Sequence, residues 1–408
     1  MTHGERTAEL THADYVHRLA ELVVRFGANV QPGQIVSLSS EPGKEPLARA
    51  VADAAYRAGA RFVDLSVFDM HVKRARALHA DPATLTFVPP WYGQRELELG
   101  RCRAAAIGLT GPVDPRLMDG IDPELAARDR LPAVRESITV INERAINWSL
   151  VPCPTPGWAE LVHPELDAET ALERLWSEMA HVCRLDEPDP VAAWRARLDH
   201  LTEIAETLDR LELDRLHFQG LGTDLIIGLL PGCRWIAAQL ETDRGVVHVP
   251  NIPTEEVFIT PDPERVEGRV RATKPLFTSG RLIRDLEVEF ERGRAVEISG
   301  TDGGEPLRSL ARRDEGAARL GEVALVDRES RIGKLSTIFY DTLLDENAAS
   351  HIALGQGYTF GLAAHDQGRI NESEIHIDFM IGSDEVTVSG VTRSGQELVL
   401  LSGGVWQI

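Results

Sequence analysis

The first 130 or so residues alternate between short apolar runs and amphipathic stretches, a rhythm that predicts strands separated by helices. Segment 11–26 keeps apolar residues at helical spacing, Thr11 and Asp14 can form a capping box, and Gly27 can end the helix. Strands are then predicted at 33–40, 61–68 and 103–111, with helices at 45–59 and 71–80. Strands alternating with helices are typical of a parallel sheet covered on both faces.

The character of the chain changes near residue 210. Before it, Asp167 and Asp189-Pro190 each begin a strongly amphipathic helix. After it, strand-like runs separated by Gly, Pro and Asp turns dominate. A chain of 408 residues usually folds into more than one domain. We therefore predict an N-terminal α/β domain over 1–210 with a mostly parallel sheet, and a strand-rich α+β domain over 211–408.

Composition and charge narrow the class of protein. The chain is 43% hydrophobic and 26% charged, which is typical of a globular protein. Its net charge of -21 argues against nucleic acid or anionic membrane as a main partner. No apolar run reaches transmembrane length and no signal-peptide pattern is present, so we expect a cytoplasmic protein. The four cysteines are widely spaced, and we expect them to be reduced.

Candidate chemistry is concentrated between Thr342 and Gly382. This stretch contains acidic and imidazole side chains among Gly and apolar residues: Asp345, Glu346, His351, His376 and Asp378. Such side chains in an apolar setting need a partner, and a divalent cation that binds His nitrogen and carboxylate oxygen is a natural one. The stretch therefore predicts a metal site.

Two local patterns predict how these side chains are presented. His376 and Asp378 lie two apart in a strand-like run, so they should point to the same face. Asn347 resembles an N-cap and Gly355 a helix end, so we expect a short helix with Glu346 in the preceding turn and His351 one turn in. Asp345 is then expected to be a helix-start residue.

Further carboxylates could complete the site. Glu255 and Glu256 are adjacent in a predicted extended segment, so only one of them can easily face a given site. Glu322 opens an otherwise buried strand-like run, and Tyr358 ends the histidine-containing stretch. Three or four carboxylates and two histidines suffice for two divalent ions, which would activate a water for hydrolysis. Competing signatures such as HExxH, GxSxG and a phosphate-binding loop are missing from the sequence.

The chain also resembles a known family, the thermophilic-type metallo-aminopeptidases of peptidase family M29. The matching segments in the C-terminal half are GTDLIIGL at 222–229, VPNIPTEEVFITPD at 249–262, GEVALV at 321–326, TLLDENAASHIALGQGY at 342–358 and HIDFMIGS at 376–383. In the N-terminal half they are NVQPGQIVSLSSEP at 29–42, RAINWSLVPCPTPGWAE at 144–160 and EPDPVAAW at 187–194. The resemblance extends over nearly the whole chain.

This resemblance implies a specific set of metal ligands: Glu256, Glu322, Glu346, His351, His376 and Asp378. It selects Glu256 over Glu255, makes Glu322 the bridging and catalytic carboxylate, and places Tyr358 at the family's active-site tyrosine. It implies two divalent ions, Zn, Co or Mn, and a homodimer that removes N-terminal residues from peptides with a free N-terminus.

Three alternatives remain open at this point. A metal-dependent amidase would act on a non-peptide small molecule. A ring-cleaving non-haem Fe(II) dioxygenase of the same superfamily would need only two histidines and one carboxylate. A metal-stabilised binding protein without turnover would need only a closed structural site.

Overall fold

A computed structural model of the chain describes residues 11–408 except 130, 133, 279–280 and 302–303. Within this described part, no helix combines the length and the apolar character that a membrane crossing requires.

The first half forms a four-stranded parallel sheet surrounded by helices. The strands are β1 (Ile35–Ser40), β2 (Phe62–Val67), β3 (Ala105–Thr110) and β4 (Asn147–Pro152), in the order β2-β1-β3-β4. The helices are α1 (His12–Leu22), α2 (Glu45–Arg57), α3 (Met70–His79), α4 (Pro90–Arg101), α5 (Pro123–Arg128), α6 (Arg135–Asn142), α7 (Pro156–Val162), α8 (Ala168–Val182) and α9 (Pro190–Arg210). The parallel sheet predicted from the alternating pattern is thus confirmed.

The helix ends follow the signals in the sequence. Thr11 and Asp14 form the expected capping box at the start of α1, and a π-helical turn over Val23–Gly27 continues it to the expected glycine. Asp167 and Asp189 each accept a hydrogen bond from the first turn of α8 and α9. These caps satisfy backbone donors that the first turn of a helix leaves free.

The second half is rich in strands. They are β5 (Leu213–Gly220), β6 (Thr223–Leu229), β7 (Ile236–Ala237), β8 (Leu240–Glu241), β9 (Val247–His248), β10 (Glu256–Ile259), β11 (Pro261–Arg271), β12 (Leu276–Thr278), β13 (Arg281–Ile283), β14 (Glu287–Glu291), β15 (Arg294–Ser299), β16 (Leu320–Val326), β17 (His351–Gly355), β18 (His376–Met380), β19 (Thr387–Thr392), β20 (Glu397–Ser402) and β21 (Val405–Trp406). Three short helices accompany them: α10 (Glu305–Ala311), α11 (Arg331–Leu335) and α12 (Thr342–Asp345).

Two larger sheets organise these strands. A five-stranded sheet has the order β18-β17-β16-β10-β7, and its neighbours are all antiparallel. An eight-stranded sheet has the order β15-β14-β11-β6-β5-β19-β20-β21. The pairs β12-β13 and β8-β9 form two small hairpin sheets. The class predicted from the sequence, an α/β first half followed by a strand-rich α+β second half, is confirmed.

The change of character near residue 210 falls between α9, which ends at Arg210, and β5, which begins at Leu213. Buried apolar residues from both sides of this point form one continuous cluster, from Leu19 in α1 to Leu400 in β20. The division into two domains at this position therefore stays a prediction.

One local prediction is wrong. Residues after Asn347 do not form a helix that ends at Gly355, because His351–Gly355 is the buried strand β17, paired on both sides with β16 and β18. Asp345 is the last residue of α12 and the residue before the 3₁₀ turn over Glu346–Ala348; its buried carboxylate does not cap that turn but accepts a hydrogen bond from the Phe339 N–H at 2.9 Å. A fully buried strand has a continuous apolar pattern that periodicity cannot distinguish from a short helix.

Candidate metal centre

Four neighbouring strands of the five-stranded sheet bring five of the predicted ligands to one face. Glu256 begins β10, Glu322 lies in β16, His351 begins β17, and β18 carries His376 and Asp378. Residues directly opposite each other on paired strands share a face, as do residues two apart along a strand. The observed register satisfies both rules, since His351 is opposite Ala324 and Glu256 is opposite Val326, both an even number of residues from Glu322.

A small residue separates the carboxylates of Glu322 and Asp378 on this face. Ala353 pairs with Glu322 on one side and with Asp378 on the other, so the two carboxylates stand on strands about 10 Å apart with only a methyl group between them. Register also shifts by one residue between Leu320 and Glu322, a bulge of the kind that re-aims side chains next to active sites. The sheet thus leaves room for an ion between the side chains.

The position opposite His376 requires glycine. Gly355 pairs with His376 and has a φ of +105°, and a Cβ there would lie 2.1 Å from the carbonyl oxygen of Ile375. The chain then turns so that the Gln356 carbonyl accepts a hydrogen bond from His376 Nδ1 at 2.7 Å. The same arrangement recurs at His351, whose Nδ1 donates to the Ala349 carbonyl at 3.1 Å. Both imidazoles therefore direct Nε2, the other ring nitrogen, at the carboxylates.

The two oxygens of Glu322 face different histidines. His351 Nε2 lies 3.7 Å from Oε1 of Glu322, and His376 Nε2 lies 3.6 Å from Oε2. His351 Nε2 is also 2.9 Å from Glu256 Oε2, and His376 Nε2 is 3.4 Å from Asp378 Oδ1. Two groups of possible ligands result, Glu256–Glu322–His351 and Glu322–His376–Asp378, and within each the ligand atoms lie within 4.8 Å of one another. Glu322 belongs to both.

Charge and burial show that this face needs a cation. Glu256 Oε2 and Asp378 Oδ1 are buried without a hydrogen-bond partner among the described residues. In a neutral imidazole whose Nδ1 carries the proton, Nε2 presents a lone pair to these oxygens. A positive charge must therefore lie between them, either a proton on Nε2 or a metal ion. Oxygen and nitrogen donors of this kind suit zinc, cobalt or manganese.

The pKa directions describe the same excess of negative charge. Burial, reinforced by the charges of Asp378 and Glu256, raises the pKa of Glu346 well above its usual value. Burial alone would lower the pKa of His376, but the charges of Asp378 and Glu322 raise it to about 9. Without metal, protons on the histidines offset the carboxylates, so a bound cation would have to displace them.

Glu346 approaches the site from outside the sheet. It follows α12 in a 3₁₀ turn over Glu346–Ala348 and lines the same cavity as Glu322 and Asp378, but it does not belong to either group of close ligand atoms. Asn347 Nδ2 donates to the Leu343 carbonyl at 3.0 Å and lies 3.4 Å from Glu346 Oε1, while Asn347 Oδ1 accepts from the Glu255 N–H at 2.6 Å. Asn347, which sequence reasoning treated as a helix cap, thus links two adjacent segments of the site.

Glu255 and Glu256 face opposite sides, as the extended segment predicts. The Glu255 side chain is completely buried and accepts hydrogen bonds from Arg184 Nη2 at 2.9 Å and Arg197 Nε at 2.6 Å. Arg197 also contacts Asp327, at the end of β16, at 3.1 Å. The arginines that pair with Glu255 lie far away in the sequence, and no local signal reveals them.

Tyr358 lies over the histidine side of the site. Its ring stacks on Phe360 with centroids 5.1 Å apart and planes 10° apart, and its centroid is 5.1 Å from that of His376. Burial, with the charges of Glu322 and Asp378, raises the pKa of Tyr358 well above its usual value. The phenol therefore stays protonated at neutral pH and can donate a hydrogen bond.

A cavity of about 410 Å³ opens onto these residues. Glu256, Glu322, Glu346, Tyr358, His376 and Asp378 line one part of it. Other parts of its wall come from Thr110 at the end of β3, from Trp148 and Leu150 in β4, and from the Pro250-Asn251 segment. A cavity with apolar walls and a cluster of metal-binding groups can hold a small organic substrate next to a cation.

Comparison with known proteins gives consistent matches over nearly the whole chain. A family model described as thermophilic metalloprotease (M29) matches residues 12–406. Aminopeptidase T of Thermus aquaticus is 40% identical over 402 residues, covering 96% of this chain and 98% of the relative. Aminopeptidase 2 of Geobacillus stearothermophilus is 35% identical over 95% of this chain and 97% of its own length.

A solved structure is similar as well. The structure of wild-type AmpT from Thermus thermophilus superimposes with a TM-score of 0.87 at 39% identity, covering 98% of this chain and 100% of that one.

Proposed function

The chain belongs to the thermophilic metalloprotease family M29, and from this premise we propose that it cleaves peptides with two divalent ions held on the β10-β16-β17-β18 face. It is a metal-dependent aminopeptidase, a hydrolase that acts as an exopeptidase on peptide substrates. The amidase, dioxygenase and binding-protein alternatives are not favoured, because the named relatives are aminopeptidases.

The observation that carries the two-ion proposal is the position of Glu322. Each of its oxygens faces a different histidine, and it belongs to both groups of possible ligands. A carboxylate shared in this way would suit a pair of divalent ions. Glu256 and His351 would hold one ion and His376 and Asp378 the other, with Glu322 shared between them and Glu346 as a further ligand. Zinc, cobalt or manganese fits this donor set.

In the proposed reaction, activation of the carbonyl and the water would come from the ions, and a side chain of the protein transfers the proton. When bound, such ions supply Lewis acidity, which polarises a carbonyl oxygen and lowers the pKa of water. Glu322, or another carboxylate of the site, takes the proton of the attacking water and passes it to the leaving amine. This transfer balances the reaction, because the peptide C–N bond breaks as the proton reaches nitrogen.

Tyr358 is the proposed donor to the developing oxyanion. Its raised pKa keeps the hydroxyl protonated, and stacking on Phe360 fixes the ring next to His376. A fixed donor costs no reorganisation when negative charge develops on the carbonyl oxygen.

We also propose that the protein is a cytoplasmic homodimer. Edge strand β2 presents three apolar side chains that are more than half exposed, Phe62, Leu65 and Val67. An exposed apolar edge strand favours burial against a second copy of the chain. Sedimentation at twice the mass of one chain is expected, and a monomer would contradict the proposal.

The four cysteines are free thiols, which suits the reducing environment of the proposed cytoplasmic location.

Metal removal and replacement tests the function. Protein treated with a chelator should lose hydrolysis of leucine p-nitroanilide, and added Zn²⁺, Co²⁺ or Mn²⁺ should restore it with two ions per chain by elemental analysis. Undiminished turnover in metal-free protein would contradict metal dependence. Full activity with one tightly bound ion would contradict only the two-ion proposal.

A further inference from the structure

Three oxygen atoms in the wall of the active-site cavity have no partner. Thr110 Oγ1, Asn251 Oδ1 and Asp341 Oδ1 are each buried without a hydrogen bond among the described residues, and all three residues line the cavity. A buried acceptor left without a donor costs about 1–3 kcal/mol. Because three such acceptor oxygens lie in one cavity wall, we expect a bound ligand to supply the hydrogen-bond donors.

The fold brings these residues together at the carboxyl ends of the N-terminal strands. Thr110 ends β3, and the N–H of the next residue, Gly111, donates to Asp341 Oδ2 at 3.1 Å. Asn251 runs beside β4, because the Ile252 N–H donates to the Leu150 carbonyl at 2.9 Å and the Leu150 N–H donates to the Pro250 carbonyl at 2.7 Å. One oxygen of Asp341 is thus fixed by the backbone while the other remains free.

Charge makes this wall selective for a cation. Lys44 is buried and donates to the Leu109 carbonyl at 2.9 Å and to Glu41 at 3.1 Å, and it makes no hydrogen bond to Asp341 Oδ1. Burial raises the pKa of Asp341 to about 6 and the Lys44 charge lowers it, so the carboxylate is mostly ionised at neutral pH. The wall therefore offers one charged and two neutral acceptors.

We propose that Asp341, with Thr110 and Asn251, binds the α-ammonium group of the first residue of the peptide. An ammonium group has three N–H donors and no acceptor, which matches three unpartnered oxygens. The inference rests on the proposed function, and it gives a reason for exopeptidase action: a chain that continues beyond the first residue has no ammonium group to place there and leaves a buried carboxylate unpaired.

A simpler role for Asp341 is to cap α12. It is the N-cap residue of that helix, where burial raises the pKa of its carboxyl and the nearby N–H groups of Leu343 and Leu344 lower it. Neither N–H meets hydrogen-bond geometry with the side chain, however, and a cap would not require an oxygen in the cavity. If Asp341 binds the ammonium group, its substitution should weaken only ligands that carry an amine. If it is only a helix cap, its substitution should affect ligands with and without an amine equally.

The test measures competitive inhibition of the metal-loaded enzyme by a matched pair of compounds. L-Leucine hydroxamate carries the amine, and 4-methylpentanohydroxamate lacks only that group. We expect Asp341→Asn to raise the inhibition constant of the amine-bearing compound by about 10- to 100-fold, the range for a hydrogen bond to a charged group. The constant of the other compound should stay within about 2-fold, since it makes no contact with Asp341.

Two hydroxyl variants serve as test and control. Thr110→Val keeps the shape of the side chain and should raise the constant of leucine hydroxamate by about 3- to 10-fold. Ser149→Ala removes another buried hydroxyl without a partner, on β4 but not in the cavity wall, and should change neither constant.

Several results would overturn the inference. These are equal weakening of both inhibitors by Asp341→Asn, no weakening of either, and equal binding of the two compounds to the unchanged enzyme. A metal-loaded enzyme that releases no N-terminal residue would instead overturn the proposed function, so the two failures are distinguishable.

Discussion

The buried ion pairs of Glu255, next to the proposed ligand Glu256, can be compared with the exposed ion pairs of Glu21 to test how much burial contributes to stability. Glu255 and Glu21 each bind two arginines, at 2.6–2.9 Å for Glu255 and at 2.6 Å for both partners of Glu21. The Glu255 side chain is 0% exposed and its partners are 7% and 9% exposed, whereas Glu21 is 27% exposed and its partners are 52% and 41% exposed. The two clusters thus share their chemistry and differ in solvation.

The expected cost follows from that difference. Glu255→Gln leaves the charges of Arg184 and Arg197 buried with one partner fewer, which costs about 3–5 kcal/mol of unfolding free energy. Gln keeps one acceptor oxygen, so one charge-assisted hydrogen bond is lost, at about 1.5–3 kcal/mol, and an amide N–H then faces a guanidinium, which adds to the cost. Glu21→Gln should cost less than about 1 kcal/mol, because water and salt screen an exposed pair.

Urea unfolding of the metal-free protein, followed by far-UV circular dichroism, measures both changes. The metal affinity of Glu255→Gln should also fall, by about 10- to 100-fold, because a residue 255 displaced from its two arginines would shift the adjacent proposed ligand Glu256 and the backbone N–H that donates to Asn347 Oδ1. Losses of less than 1 kcal/mol in both variants, or unchanged metal affinity at Glu255→Gln, would refute this reasoning.

Three further outcomes are expected. Glu322→Gln should lower kcat by at least about 10²-fold and reduce bound metal in elemental analysis, with an unchanged circular dichroism spectrum; full activity would remove this carboxylate from the mechanism. Tyr358→Phe should lower kcat by about 10²- to 10³-fold with little change in KM, since the ring can still stack on Phe360; an unchanged kcat would exclude the hydroxyl as the oxyanion donor. Burial lowers the pKa of His248 from 6.5 to about 4. Between pH 6.5 and pH 4 the unfolded chain therefore binds a proton at His248 that the folded protein does not bind, and the folded protein loses stability as the pH falls through this range. Its contribution between pH 7 and pH 5 is about 2 kcal/mol, and the unfolding free energy of His248→Phe relative to the unchanged protein should rise by that amount; a pH-independent difference would contradict the assignment.

Local signals in the sequence predicted those parts of the structure that local geometry determines. Alternation along a strand placed His376 and Asp378 on one face, and capping residues marked the starts of α1, α8 and α9. The choice between Glu255 and Glu256 needed more than the local pattern, because the arginines that bind Glu255 come from α9 and the turn after α8.

The parts that the sequence did not reveal depend on contacts between distant segments. His351 lies in a strand only because β16 and β18 pair with it on both sides, and this overrides the helix signals of Asn347 and Gly355. Asp341 precedes the candidate ligands without any distinguishing pattern, and it lines the cavity next to the distant end of β3, where the Gly111 N–H donates to it.

Trp148 and Leu150 give the cavity a wall that carries none of the proposed ligands. They lie on β4 of the parallel sheet, while the candidate ligands lie on a separate antiparallel sheet. Mutation can therefore reshape the space available to a substrate side chain while the metal-binding face keeps its register. Such a division allows relatives to acquire new substrate preferences in small steps, each starting from an enzyme that still works.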